Sequence, residues 1–192
     1  MNLAHVLSDS VLALTSLTVF WYFFARVPFY NRLIWGFFLL PMALAALVGV
    51  VVFAGYEPAR PLYRSLELLT ATLGAVCVVV GTWQLVSQTT IKPVGLAITL
   101  IIGLFLFVIV LLPEVRVFAP VVTAMAILVA MLLAVWGMLR RDKRAVWLVA
   151  AFLGMAVAMK NPSFLPLDQL DFYHYTVSLA LLSLGKGVQG PG

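Results

Sequence analysis

The chain has 192 residues, 64% of them hydrophobic and 10% charged, with a formal net charge of +5. A soluble domain is nearer half apolar and a quarter charged, so this composition argues against a water-soluble globule and makes the bilayer the solvent. The basic residues sit in short breaks between apolar runs rather than in a stripe interleaved with aromatics, which argues against nucleic acid as a partner.

The start is a poor match to a signal peptide, because it lacks a basic leading region and Asp9 interrupts the approach to the first apolar run. Seven apolar segments follow, at residues 10–25, 33–54, 66–86, 94–112, 117–139, 145–159 and 170–184. They are continuously apolar without period-2 alternation, so they predict helices and not barrel strands. The breaks carry turn chemistry: Pro28 and Asn31, Pro58 and Pro61, Lys92-Pro93, Pro113 to Arg116, Arg140 to Arg144, and then Asn161, Pro162 and Pro166. Tryptophans and tyrosines, including Trp21, Trp35, Trp83, Trp136 and Tyr173, gather near segment ends as an aromatic belt would. The expected fold is all-α: a polytopic transmembrane bundle of seven helices over residues 1–184, with a flexible Gly-rich tail at 185–192.

Lysine and arginine set the orientation. One side holds eight of the twelve, namely Arg26, Arg32, Lys92, Arg140, Arg141, Lys143, Arg144 and Lys186; the other holds Arg60, Arg64, Arg116 and Lys160. The positive-inside rule places the eight in the cytoplasm, the N-terminus outside and the C-terminus inside. Ala126, Ala130 and Ala134, and likewise Ala150, Gly154 and Ala158, form small-xxx-small faces suited to close helix contact. These faces suggest contacts within the bundle, and leave room for a homo-oligomer or a membrane-protein partner without implying one; the other partner is membrane lipid.

Six of the seven acids fall on the side assigned to the exterior: Asp9, Glu57, Glu67, Glu114, Asp168 and Asp171. Both histidines, His5 and His174, lie there too. Segments 1, 6 and 7 are short for a full crossing of about 30 Å. Either the bilayer thins, or these helices extend outward and carry His5, Ser8, Asp9, Lys160, Asp171 and His174 below the headgroups. Asp171, His174 and Ser178 share one helical face, as do His5 and Asp9. Segment 3 has a polar-to-small stripe of Glu67, Thr70, Gly74, Cys77, Gly81, Gln84 and Gln88, which should face the bundle interior. Together these predict a polar cluster at the outer ends of helices 1, 3 and 7. The plainer reading makes Asp9 and Asp171 helix-end acids and pairs Glu67 with Arg64. Cys77 alone permits neither an internal disulfide nor a cysteine metal cluster. Phosphate-loop, HExxH, GxSxG and CxxC motifs are absent.

The stretches Val6-Leu-Ser-Asp-Ser-Val-Leu-Ala-Leu14 and Asp171-Phe-Tyr-His-Tyr175, with Ser178-Leu-Ala-Leu-Leu182 after the latter, resemble a group of bacterial seven-helix membrane proteins without an assigned activity. That group in turn resembles the CREST superfamily, which includes alkaline ceramidases and adiponectin-type receptors. The resemblance implies a bacterial inner membrane location and a zinc-dependent lipid amide hydrolase. It makes His174, Asp171, Ser178 and Glu67 the catalytic candidates. The chain departs from the pattern: Ser178 stands where a second histidine of a His-x-x-x-His pair belongs, and no histidine lies near 53–56. Two histidines cannot make a three-histidine site, so a metal would have to use His5, Asp9, Asp171 and His174. The leading expectation is therefore a non-catalytic scaffold, accessory or ligand-binding bundle with no cofactor. The alternatives are a zinc lipid hydrolase and a small proton-coupled transporter that uses Glu67 and the segment 3 stripe.

Overall fold

A computed structural model of the chain describes residues 3–160 and 168–189. Among the described residues there is no strand, and seven helices follow one another: α1 (Leu3–Arg26), α2 (Phe29–Phe53), α3, α4 (Pro93–Leu111), α5 (Ala119–Leu139), α6 (Arg144–Ala158) and α7 (Gln169–Gln189). Helix α3 runs through Arg60–Leu69, a π-helical turn at Thr70–Gly74, and Ala75–Ser87. Prolines mark the starts. Pro28 is extended ahead of α2, and Pro61, Pro93 and Pro120 occupy first turns, where the missing N–H costs nothing. Gln88 ends α3 in the left-handed region at φ 53°.

Among the described residues, five spans are long and apolar enough to cross a membrane: Leu3–Phe23, Phe29–Phe53, Glu57–Ser87, Pro93–Leu111 and Arg116–Leu139. Helix α6 has 15 residues, and α7 has 21, with a polar first half. The all-α, seven-helix expectation matches this architecture.

Successive helices run up and down. α1, α2, α3, α5, α6 and α7 each pack on the next, and α7 closes the ring against α1. α4 stands outside this ring and packs mainly on α3. The α3–α4 approach is close because Gly103 faces the π turn: a Cβ there would meet the Leu73 Cα at 2.9 Å. Asn31 fastens the start of α2 to the α3–α4 loop, donating to the Thr89 carbonyl (3.0 Å) and accepting from the Ile91 N–H (2.9 Å).

Four expectations change. Helix α1 begins at Leu3, seven residues before the apolar segment expected for it, whereas α7 begins at Gln169, one residue before its segment. The tail expected to be free from residue 185 is helical to Gln189, with Gly185, Gly187 and Val188 buried; Gly187 lies under Leu148 and Trp147. On α6 the inner face is Leu148, Ala151, Phe152, Met155 and Ala158, and Ala150 points outward. Trp35 is not a belt residue but is fully buried, stacked on Phe23 at 4.6 Å and lying across Gly81. The turn expected around Asn161, Pro162 and Pro166 lies outside the described residues, and Lys160 is exposed just before it.

Candidate functional site

The N-terminal turns of α1 and α7 face each other, and their polar residues meet there. His5 and Asp9 are one turn apart on α1, with Ser8 between them; Asp171 and His174 are one turn apart on α7. The Ser8 hydroxyl donates to Asp171 Oδ1 at 2.6 Å, and His5 Nδ1 lies 2.8 Å from the same oxygen. His174 Nδ1 is 3.2 Å from Ser8 Oγ and 3.2 Å from Asp9 Oδ1. The five groups therefore form a chain: His5, Asp171, Ser8, His174, Asp9. Ser8 and Asp9 are 0% exposed, and Asp171 and His174 are 4%. Phe53 and Tyr63 close the cluster, with the His5 ring edge-on to Phe53 at 4.9 Å and Phe53 edge-on to Tyr63 at 6.0 Å.

The two aspartates differ. Asp171 accepts two hydrogen bonds and sits in the first turn of α7, where the helix dipole favours an acid. The N-cap role itself falls to Asp168, whose Oδ1 accepts the Leu170 N–H at 2.9 Å. Asp9 lies well inside α1, so it is not a cap. Neither of its oxygens has a hydrogen-bond partner; the His174 nitrogen is near Oδ1 but not in line to bond. Its carboxylate packs directly on Gly49, where a Cβ would come within 2.9 Å of Asp9 Cγ and 3.0 Å of Tyr63 Cε2. Only glycine leaves room for that approach.

Asp9 and His174 form one end of a cavity of about 330 Å³ at the centre of the helix ring. All six ring helices line it, α4 does not, and most of the lining is apolar, including Leu12, Phe38, Met42, Val78, Ile127 and Met155. Glu67 and Tyr63 face the same polar end from α3, and Tyr173 from α7. Glu67 interacts with the Tyr63 hydroxyl and is close enough to Asp9 and Arg64 to feel their charge. Glu67 and Pro120 are exposed and mark the mouth. Between Glu67 and Val78 the helix rises roughly 16 Å at about 1.5 Å per residue, so the cavity is deep as well as wide.

The expected candidates sort themselves by geometry. His5, Asp9, Asp171 and His174 come together. Glu67 stays across the cavity, without a hydrogen bond to the α1–α7 chain. Ser178 donates to the His174 carbonyl one turn back at 2.7 Å, which occupies its proton. In the α3 stripe Gly74, Cys77, Gly81 and Gln84 are buried, Thr70 lines the cavity, and Gln88 is exposed. Tyr63, Tyr173 and Gly49 were not legible as site residues, and Ser8 was grouped with His5, Asp9, Asp171 and His174 but given no partner. The available sequence signals were the position of Ser8 between His5 and Asp9 and a glycine inside an apolar helix.

The zinc implied by the CREST resemblance does not fit these donors. His5 turns its Nδ1 to Asp171, which also accepts from Ser8, and His174 turns its Nδ1 between Ser8 and Asp9. Among the described residues no three His, Cys, Asp or Glu side chains are arranged to share an ion. The site as built is a buried hydrogen-bonded relay opening on an apolar chamber. No curated protein and no solved structure matches the chain. The model of the family of unknown function DUF6962 matches residues 4–191, and the chain belongs to that family.

Proposed function

We propose that this chain is a non-catalytic, ligand-binding membrane bundle that holds a membrane-resident amphiphile inside its helix ring. The observation that carries this reading is the central cavity of about 330 Å³, lined mostly by apolar side chains, with its acidic groups and imidazole gathered around Asp9. That volume is in the range of small-molecule sites, as is the pattern of an apolar chamber with a few convergent polar groups. An amphiphile gives each part of this lining its complement: a tail for the methionines and aliphatics, a head for the carboxylates and imidazole. In the proposed orientation, set by Arg140, Arg141, Lys143 and Arg144 on the cytoplasmic side, the polar end lies at the outer face.

Native mass spectrometry of the protein in mild detergent tests the reading. The expected result is a small amphiphile bound to the folded chain, released on unfolding and weakened in Met42→Trp, which narrows the chamber. A chain that carries no such mass, and takes up neither alkyl alcohol nor alkyl amine when offered, refutes it.

A second reading draws on the hydrogen-bonded sequence itself. His5, 14% exposed at its side chain, is linked by hydrogen bonds through Asp171 and Ser8 to His174, whose Nδ1 lies 3.2 Å from fully buried Asp9. Such a series of titratable and hydroxyl groups is what a proton path needs, and it supports a proton-coupled transporter. Flux in reconstituted vesicles that falls with Ser8→Ala favours this reading; unchanged flux, or none, removes it.

A further inference from the structure

Resting on the amphiphile-binding reading, we infer that the head recognised by this cavity is a protonated amine, seated on Asp9 with Glu67 at its flank. Asp171 and Asp9 sit side by side on facing helices, yet their surroundings are opposite. Asp171 takes two donors, His5 Nδ1 and Ser8 Oγ, while His174 Nδ1, 3.2 Å from Asp9 Oδ1, is in hydrogen-bond contact with Ser8 Oγ. Asp9 takes none, is 0% exposed, and borders the open chamber. A buried carboxylate without donors is an acceptor awaiting a partner, because desolvation without compensation is unfavourable.

The rest of the polar end selects the sign of that partner. Among the described residues no lysine or arginine lines the cavity; the groups around Asp9 there are Glu67, Tyr63, Tyr173 and His174, with His5 and Asp171 behind it and Arg64 beside Glu67 on the far side. An ammonium brings a positive charge and three donors. It supplies Asp9 with hydrogen bonds and relieves the repulsion between Asp9 and Glu67, in a wall that includes Tyr63 and Tyr173. A carboxylate or phosphate head meets two acids at the same place and is rejected by like charge. The apolar depth behind Asp9 takes the hydrocarbon, so the ligand class is an alkyl amine or amino alcohol, in contrast to an anionic lipid.

Dodecylamine, dodecanol and dodecanoate share one chain length and differ only in the head, so their binding separates head from tail. Binding to the intact protein in zwitterionic nanodiscs is measured by calorimetry, with Met42→Trp as the control for partition into the bilayer. The expected order is amine tighter than alcohol by about tenfold or more, with the carboxylate weakest. Asp9→Asn should bring the amine down to the level of the alcohol while the alcohol is unchanged. Glu67→Gln, at the exposed mouth where folding is not at stake, should reduce the amine preference severalfold. Equal binding of amine and alcohol leaves the cavity reading standing and overturns the amine assignment. So does an amine preference that survives Asp9→Asn, or one that Met42→Trp leaves undiminished. Failure of all three probes to bind removes both.

Discussion

Asp9 and Asp171 are of the same residue type at nearly the same depth, and conversion of each to asparagine should change stability in opposite directions. Asp171→Asn disturbs two hydrogen bonds between α1 and α7, at 2.6 and 2.8 Å. The amide keeps one acceptor, loses the charge that strengthens both bonds, and sets an N–H₂ among donors. Hydrogen bonds between membrane helices contribute about 0.6 kcal/mol on average and up to about 1.7 each. The expected loss is therefore about 1–3 kcal/mol. Asp9→Asn disturbs no hydrogen bond, since both oxygens lack one, and it discharges a group that is 0% exposed. The cost of an unsatisfied buried polar group is about 1–3 kcal/mol, more when charged. Its neutral isostere should leave stability unchanged or raise it by up to about 3 kcal/mol. Reversible unfolding in mixed micelles, followed by circular dichroism, reads both variants against the wild type. If Asp9→Asn destabilises the bundle as much as Asp171→Asn, then Asp9 has structural partners and the argument for a ligand-facing acid fails.

Three further substitutions probe close approaches and ties. Gly49→Ala places a methyl against Asp9 Cγ and Tyr63; overpacking of about 1–3 kcal/mol is offset by about 1 kcal/mol of helix propensity. Stability should fall by no more than about 2 kcal/mol, while binding of dodecylamine falls about tenfold or more; binding at wild-type strength contradicts the placement of Asp9. Gly81→Ala drives a Cβ to 2.7 Å from Trp35 Cε2 and 2.8 Å from Cζ2. It should destabilise by about 1–3 kcal/mol and change the near-ultraviolet dichroism of the tryptophans; an unchanged spectrum contradicts the burial of Trp35. Asn31→Ala removes both ties between α2 and the α3–α4 loop, for a loss of about 1–3 kcal/mol. Asn31→Asp, which keeps the acceptor for Ile91, should fall between it and the wild type.

Hydropathy read the apolar centre of every helix, because lipid-facing and core-facing residues are both apolar and the runs are unbroken. It missed the first turns of α1 for the same reason. His5, Ser8 and Asp9 resemble loop or cap residues when that end is taken alone. What makes them helix interior is a partner more than 160 positions away, as in the pair His5 and Asp171. The α3 stripe was legible because small and polar residues at helical spacing must avoid lipid, and Gly74, Cys77, Gly81 and Gln84 do so. The α6 face was assigned to Ala150, Gly154 and Ala158, yet small residues fit inside or outside a helix equally well. Phe152 and Met155 set the inner face there because they fill volume. The closing glycines looked like a flexible tail; in the bundle Gly187 lets α7 pass close beneath Leu148. The cavity itself had no sequence signature, since it is the space left where six helices meet.

Photolabelling tests the occupied chamber most directly. An alkyl amine carrying a diazirine on its tail is bound to the protein in lipid nanodiscs, irradiated, and mapped by peptide mass spectrometry. The account predicts adducts on Met42, Val78, Ile127 and Met155, which line the cavity from four different helices, and their reduction in Met42→Trp. Adducts confined to outward residues such as Ile101 and Phe105 of α4, which are exposed and take no part in the lining, would contradict it.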